Sequence, residues 1–214
     1  GKFSPKTIRD LESYGKPLIF VDSNALYLGH SCVTTDLEDS VITALEYFLE
    51  HGHKEIGLLV GQEETADATP LQMDPRQRTF QQFLTEKGLY EERFVSVGQF
   101  STESGYQMME QLIQALGDDM PTAFFMASDA LAVGALRSLQ EHQIAVPDRV
   151  SLISFNDTSI AKYVFPALST VTVYTEEMGK QAIQMLRQTF QGAQPSVPYM
   201  VKLATKLTIR DSSR

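Results

Sequence analysis

The residues with the most chemistry in this chain sit immediately after short apolar runs. Asp22, Ser23 and Asn24 follow PLIFV; Gln62, Glu63 and Glu64 follow EIGLLVG; Gln99 and Phe100 follow RFVSV; Ser128 and Asp129 follow TAFFMA; Asn156 and Asp157 follow VSLISF. They are neutral and acidic hydrogen-bonding groups with one aromatic ring among them. Amides, carboxylates and hydroxyls pair with hydroxyl groups, and an aromatic face covers an apolar ring face. The set suits a polyhydroxylated ligand better than a phosphorylated one.

Other chemistries lack their motifs. No turn carries GxGxxG or GxxxxGK[ST], and the nearest stretch, SDALAVGAL, puts its glycine inside a helical pattern. No GxSxG nucleophile elbow is present. His51 and His53 flank Gly52 in EHGHKEI without a further His or Cys nearby, which reads as a polar helix-to-strand corner. Asp22 and Asp157 are imaginable as paired carboxylates, but hydrogen bonding to hydroxyls explains both equally well. For Asp157 and Thr158 the expected role is to fix a turn or cap a short helix over SIAKYVF, whereas Asn156 comes directly off a strand end.

These residues need a scaffold that places strand ends side by side. Apolar runs at 17–21, 55–61, 93–97, 122–127, 150–155 and 169–173 predict short buried strands. Spacings of three and four between them predict helices over 37–51, 76–87, 102–116, 129–142 and 176–191. Start signals stand at Asp36, Ser101 or Thr102, and Ser128. The tail VPYMVKLATKLTIR predicts one or two late strands. Alternation of this kind predicts an α/β chain with parallel sheets, whose ligands bind beyond the carboxyl ends of the strands.

The totals agree with a folded binding protein. The 214 residues are 43% hydrophobic, enough to bury a sizeable core. With 27 acidic against 18 basic residues the net charge is −9, which disfavours general binding to a phosphate backbone. Cys32 is the only cysteine, so an intrachain disulfide and a four-cysteine metal site are excluded, and a reducing compartment fits. No apolar run approaches the roughly 18 residues of a membrane span, and GKFSPKTIRDLESYG has no signal-peptide apolar region.

From PTAFFMASDALAVGALRSLQ through VPDRVSLISFND, PALSTV and VTVYTEEMG, the chain resembles the effector domain of the lactose/galactose repressor family, most of all its galactose-repressor branch. KPLIFVD, VTTD, the helix ending EHGHKEIGLLVG, the RxxxF start at Arg76 to Phe80, and ATKLTIRDSS extend the resemblance over essentially the whole chain. It implies a two-lobed periplasmic-binding-protein-like fold with parallel sheets flanked by helices and an incomplete N-terminal lobe. That lobe is expected to hold 1–35 and 174–196, about one strand and two helices; the C-terminal lobe is expected to hold 36–173 and 197–214.

The resemblance further implies a sugar-responsive repressor that is cytoplasmic, needs no cofactor and performs no catalysis. A monosaccharide or galactoside would be bound between the lobes, with closure coupled to DNA binding. It names Asp22, Arg76, Phe100, Ser128, Asn156 and Tyr174 as sugar contacts, with Arg78 as a competitor of Arg76. Ser128 stands where the family often has asparagine, and Asn156 where it often has aspartate. The expected partners are the sugar, a second copy in a homodimer, and operator DNA through a helix-turn-helix domain absent from this chain. A periplasmic sugar-binding protein for transport is the alternative on the same architecture, and a sugar hydrolase a more distant one.

Overall fold

The computed structural model describes residues 3–62, 73–193 and 195–214. In chain order these form α1 (Pro5–Glu12), β1 (Ile19–Val21), β2 (Ser31–Thr35), α2 (Leu37–Glu50) and β3 (Ile56–Gly61). Next come α3 (Pro75–Glu86), β4 (Val95–Gly98), α4 (Thr102–Leu116), β5 (Ala123–Met126) and α5 (Asp129–Glu141). The chain ends with β6 (Ser151–Asn156), α6 (Ser159–Tyr163), β7 (Ser169–Thr172), α7 (Thr175–Phe190), β8 (Met200–Leu203) and β9 (Lys206–Thr208). The predicted helices and strands are all present. Glu63 and Glu64 lie outside the described residues.

Two compact units result. The larger contains, among the described residues, 37–62, 73–172 and 206–214. Its sheet runs β4-β3-β5-β6-β7-β9, parallel throughout except for β9. The order reverses at β3, whose outgoing connection leads to β4 on one side while β5 pairs on the other. At such a reversal the two crossover helices leave on opposite faces and open a crevice beyond the carboxyl ends. Accordingly α3 packs with α2 and β3, whereas α4 and α5 pack on each other and on β4, β5 and β6. Strands β3 and β5 are buried along their whole length, which accounts for their unbroken apolar sequence.

The α4–α5 crossing depends on missing side chains. A Cβ on Gly134 would lie 1.9 Å from the Thr102 carbonyl oxygen and 2.6 Å from the Tyr106 nitrogen. Here glycine serves close approach, and its entropic cost of about 1 kcal/mol in a helix is accepted for that reason.

The smaller unit holds, among the described residues, 3–36, 173–193 and 195–205. Its sheet is β1-β2-β8, all parallel, where one strand was expected. Successive residues of β2 face opposite sides: Cys32 joins Ile8, Phe20 and Ala25, while Val33 joins Met178, Ala182 and Met185 of α7. The strand escapes a search for apolar runs because SCVTT is half polar; Thr35 faces α7 with its hydroxyl 3.5 Å from Met178 Sδ. Residues 197–205 therefore differ from the expected division. They belong with the smaller unit because β8 pairs with β2 over Cys32 to Thr35, and only from Lys206 does the tail join the larger sheet beside β7.

The glycine crossing yields a stability prediction. Gly134→Ala gains about 1 kcal/mol of helix propensity but must separate two backbones, and overpacking of this kind costs about 1–3 kcal/mol or more. The variant should lose about 2 kcal/mol in urea unfolding; equal or greater stability would show that the crossing is loose.

Candidate ligand site

Arg76 enters the larger unit's site from the first turn of α3. Asp74 caps that helix, its carboxylate accepting the Arg76 backbone N–H at 2.9 Å. The same carboxylate accepts Arg76 Nε and Nη2, each at 2.8 Å. Arg76 Nη1 donates to the Ala127 carbonyl at 2.7 Å, just past the end of β5. The guanidinium thus spans the point where strand order reverses, from the β3 exit to the β5 exit. Both charges are buried, each residue being 8% exposed. Burial of this kind is tolerated because the pair is bidentate and Nη1 has the Ala127 carbonyl as a further partner.

Two rings complete the setting. The guanidinium carbon lies 4.8 Å from the Phe100 ring centre and 5.3 Å from that of Phe155. Cation–π contacts contribute about 0.5–1 kcal/mol at exposed sites and about 2 kcal/mol or more where water is excluded. Phe100 can lie there because Gly61 ends β3: a Cβ would stand 2.4 Å from its ring and 2.7 Å from its backbone nitrogen. Three of the five guanidinium N–H groups are used, which leaves donors on both Nη atoms.

Ser128 and Asn156 follow Ala127 and Phe155, the residues that Arg76 touches. Ser128 caps α5, its Oγ accepting the Leu131 N–H at 3.2 Å, and its own hydrogen remains a donor. Asn156 has φ 106° and Asp157 φ 56°. Two successive non-glycine residues in the left-handed half of the map cost on the order of 1–3 kcal/mol each and persist only where the surroundings impose them. The half-buried Asn156 amide is hydrogen-bonded to no other group among the described residues.

The imposing group on one side is Asp129, 1% exposed. Its Oδ1 accepts Ser154 Oγ at 2.5 Å and Thr170 Oγ1 at 3.0 Å, a cross-strand pair of β6 and β7. Its Oδ2 accepts the Thr158 N–H at 2.6 Å and the Thr158 hydroxyl at 2.8 Å. Thr158 therefore stands at the start of α6 without a side-chain cap bond, and of its two expected roles, capping and fixing the turn, the first is corrected. Nor does Asp157 cap the helix: it accepts Arg210 Nη2 at 2.7 Å and Thr172 Oγ1 at 2.8 Å. A carboxylate so committed is not one of a free pair for acid–base work.

Asp22 and Tyr174 belong to the smaller unit. Asp22 is exposed at the end of β1 with φ 56°, and its N–H donates to the Val33 carbonyl at 2.9 Å. Tyr174 immediately precedes α7 and is 42% exposed. Arg78 is exposed and lines a groove with Glu38, Gln82 and Glu86 over α2 and α3, so Arg76 is the arginine of the strand-end site. His51 Nδ1 donates to the Tyr47 carbonyl, and His53 Nδ1 lies 2.8 Å from Thr122 Oγ1, both at the corner after α2. Among the described residues no group of three or more His, Cys, Asp or Glu could hold a metal ion.

Residues 45–213 match the periplasmic binding protein-like domain. The chain belongs to that family. It is 50% identical over 214 residues to the HTH-type transcriptional regulator GalR of Streptococcus thermophilus, covering 100% of this chain and 64% of that protein. It is 35% identical over 213 residues to the HTH-type transcriptional regulator GanR of Bacillus subtilis, covering 99% and 64%. The chain thus spans under two thirds of the curated relatives it matches. The fold is that of a solved regulatory protein of the LacI family from Chloroflexus aggregans, with TM-score 0.85, 24% identity and coverage of 100% and 74%.

Two substitutions test the site's construction. Removing one partner of a buried ion pair costs about 3–5 kcal/mol, so Asp74→Ala should lower the urea-unfolding free energy by that amount; a loss below about 1 kcal/mol would contradict the pair's burial. At Asn156, glycine accepts the positive φ and alanine does not, so Asn156→Gly should be more stable than Asn156→Ala by about 1–2 kcal/mol.

Proposed function

We propose that this chain is the ligand-sensing domain of a sugar-responsive transcriptional repressor that takes galactose or a galactoside. The observation that carries the reading is the strand-end arrangement of the larger unit. A fixed guanidinium with donors to spare, an aromatic ring, the Ser128 hydroxyl and an uncommitted Asn156 amide meet where the strand order reverses. That inventory matches a sugar ring, with apolar faces for Phe100 and hydroxyls for the rest. Asp22 and Tyr174 of the smaller unit are further proposed sugar contacts. The 50% identity to a regulator named GalR supports the galactose class.

The mechanism is differential affinity. Sugar binds one arrangement of the protein better than another and shifts the population between forms that differ in affinity for operator DNA. With a net charge of −9, this chain is not the operator-binding surface; the relatives are named as helix-turn-helix regulators, and that kind of module would supply the contact. The same relatives support a cytoplasmic location and binding without turnover. Among the described residues no helix is long and apolar enough to cross a membrane. Tyr163 and Phe165, 83% and 85% exposed, support a homodimer, since bare aromatic surface favours association.

Isothermal titration with D-galactose, lactose and D-glucose tests the reading. A galactose-containing sugar should bind, and Asn156→Gly should weaken it about tenfold, the equivalent of one hydrogen bond of about 1.4 kcal/mol. Preference for D-glucose, or unchanged affinity in Asn156→Gly, would refute the assignment.

A further inference from the structure

We propose that Arg210, from the C-terminal tail, is a positioning residue for the sugar contact Asn156. The idea rests on the ligand assignment above for its functional meaning, but its geometry stands by itself. Asn156 and Asp157 occupy two consecutive left-handed conformations at the exit of β6, and such a turn relaxes unless it is clamped on both sides. Asp129 holds the side toward Thr158 from α5. On the other side the clamp is Arg210, 53 residues away in sequence.

Arg210 makes a bridge rather than a single contact. Its Nη2 donates to Asp157 Oδ1 and its Nη1 to the Leu168 carbonyl, both at 2.7 Å. Its side chain is 17% exposed and that of Asp157 10%, so water competes weakly for the pair. The other Asp157 oxygen accepts Thr172 Oγ1 at 2.8 Å, and the Asp157 N–H reaches Thr170 Oγ1 at 3.3 Å. The carboxylate therefore fixes Asp157 to the tail and to β7 at once, which leaves Asn156 no freedom to leave its own φ.

The tail is itself pinned, so the clamp has a rigid base. Backbone N–H of Arg210 donates to Ser169 Oγ at 2.8 Å, and Ser212 Oγ donates to the Leu152 carbonyl at 2.7 Å. Ser213 Oγ lies 2.7 Å from Ser169 Oγ but touches neither Asp157 nor Asn156. That makes Ser213 the control: its loss removes one tail hydrogen bond and leaves the Arg210 bonds to Ser169, Leu168 and Asp157 in place.

The test has a readout that needs no ligand. In the full chain, three-bond couplings and 13Cα and 13Cβ shifts report φ at Asn156 and Asp157. Arg210→Gln should lose the left-handed signature at both residues, Arg210→Lys should lose it in part, and Ser213→Ala should keep it. A signature unchanged in Arg210→Gln, or lost equally in Ser213→Ala, would overturn the positioning role. Should Arg210→Gln fail to fold, Arg210→Lys carries the comparison. With D-galactose as probe, Arg210→Gln should weaken binding about tenfold, and should add nothing further in an Asn156→Gly background, where the amide is already gone. Additive losses in the double variant would mean that Arg210 acts elsewhere. Absence of binding of both D-galactose and lactose by the unaltered chain would refute the sugar reading while the φ measurement still decides the positioning role.

Discussion

The buried pair of Arg76 and Asp74 is the interaction on which the site depends. It starts α3, spans the reversal point of the sheet through the Ala127 carbonyl, and gives Phe100 and Phe155 a cation to stack on. Each link has its own physical reason. Aspartate at a helix start satisfies orphan N–H groups, a guanidinium fits a carboxylate in two parallel hydrogen bonds, and a parallel sheet that reverses its order leaves a crevice at that point. Packing three roles into one pair makes it costly to alter, because no substitution can preserve the cap, the ion pair and the ring contacts together.

A second anionic centre organises the other end of the site. Asp129 gathers two strand hydroxyls and the Thr158 backbone and hydroxyl, so a charge with no cationic partner among these contacts is stabilised by four donors. Such a carboxylate belongs to architecture rather than to ligand chemistry. Its effect is to convert the polar run Asn156 to Ser159 from a flexible turn into a fixed one, with the Asn156 amide left over. Binding sites gain affinity when the contact is ordered before the ligand arrives, since the ordering cost is already met in folding.

Much of this was legible in the sequence, and the exceptions have physical causes. Strands β3, β5, β6 and β7 announced themselves because both of their faces are buried, and the larger unit's helices because one face is. Ser101 and Ser128 cap as their types and positions indicate. By contrast β2 is half polar, and α1, the second helix expected of the smaller unit, is not delimited by apolar spacing, although the Ser4 cap and Pro5 mark its start. Strands β8 and β9 lie two residues apart yet join different sheets, a pairing decided by register with distant partners. The role of Asp74 could have been found from Asp-Pro-Arg at a helix start. Nothing local betrays Arg210, because its partner is 53 residues away and tertiary structure alone brings them together.

The most direct measurement is a side-chain nuclear magnetic resonance titration of the full chain with D-galactose. Signals of the Asn156 amide, the Arg76 Nε–H and the Phe100 ring should shift together and saturate along one binding curve. Saturable shifts confined to other residues, with these three unmoved, would contradict the account.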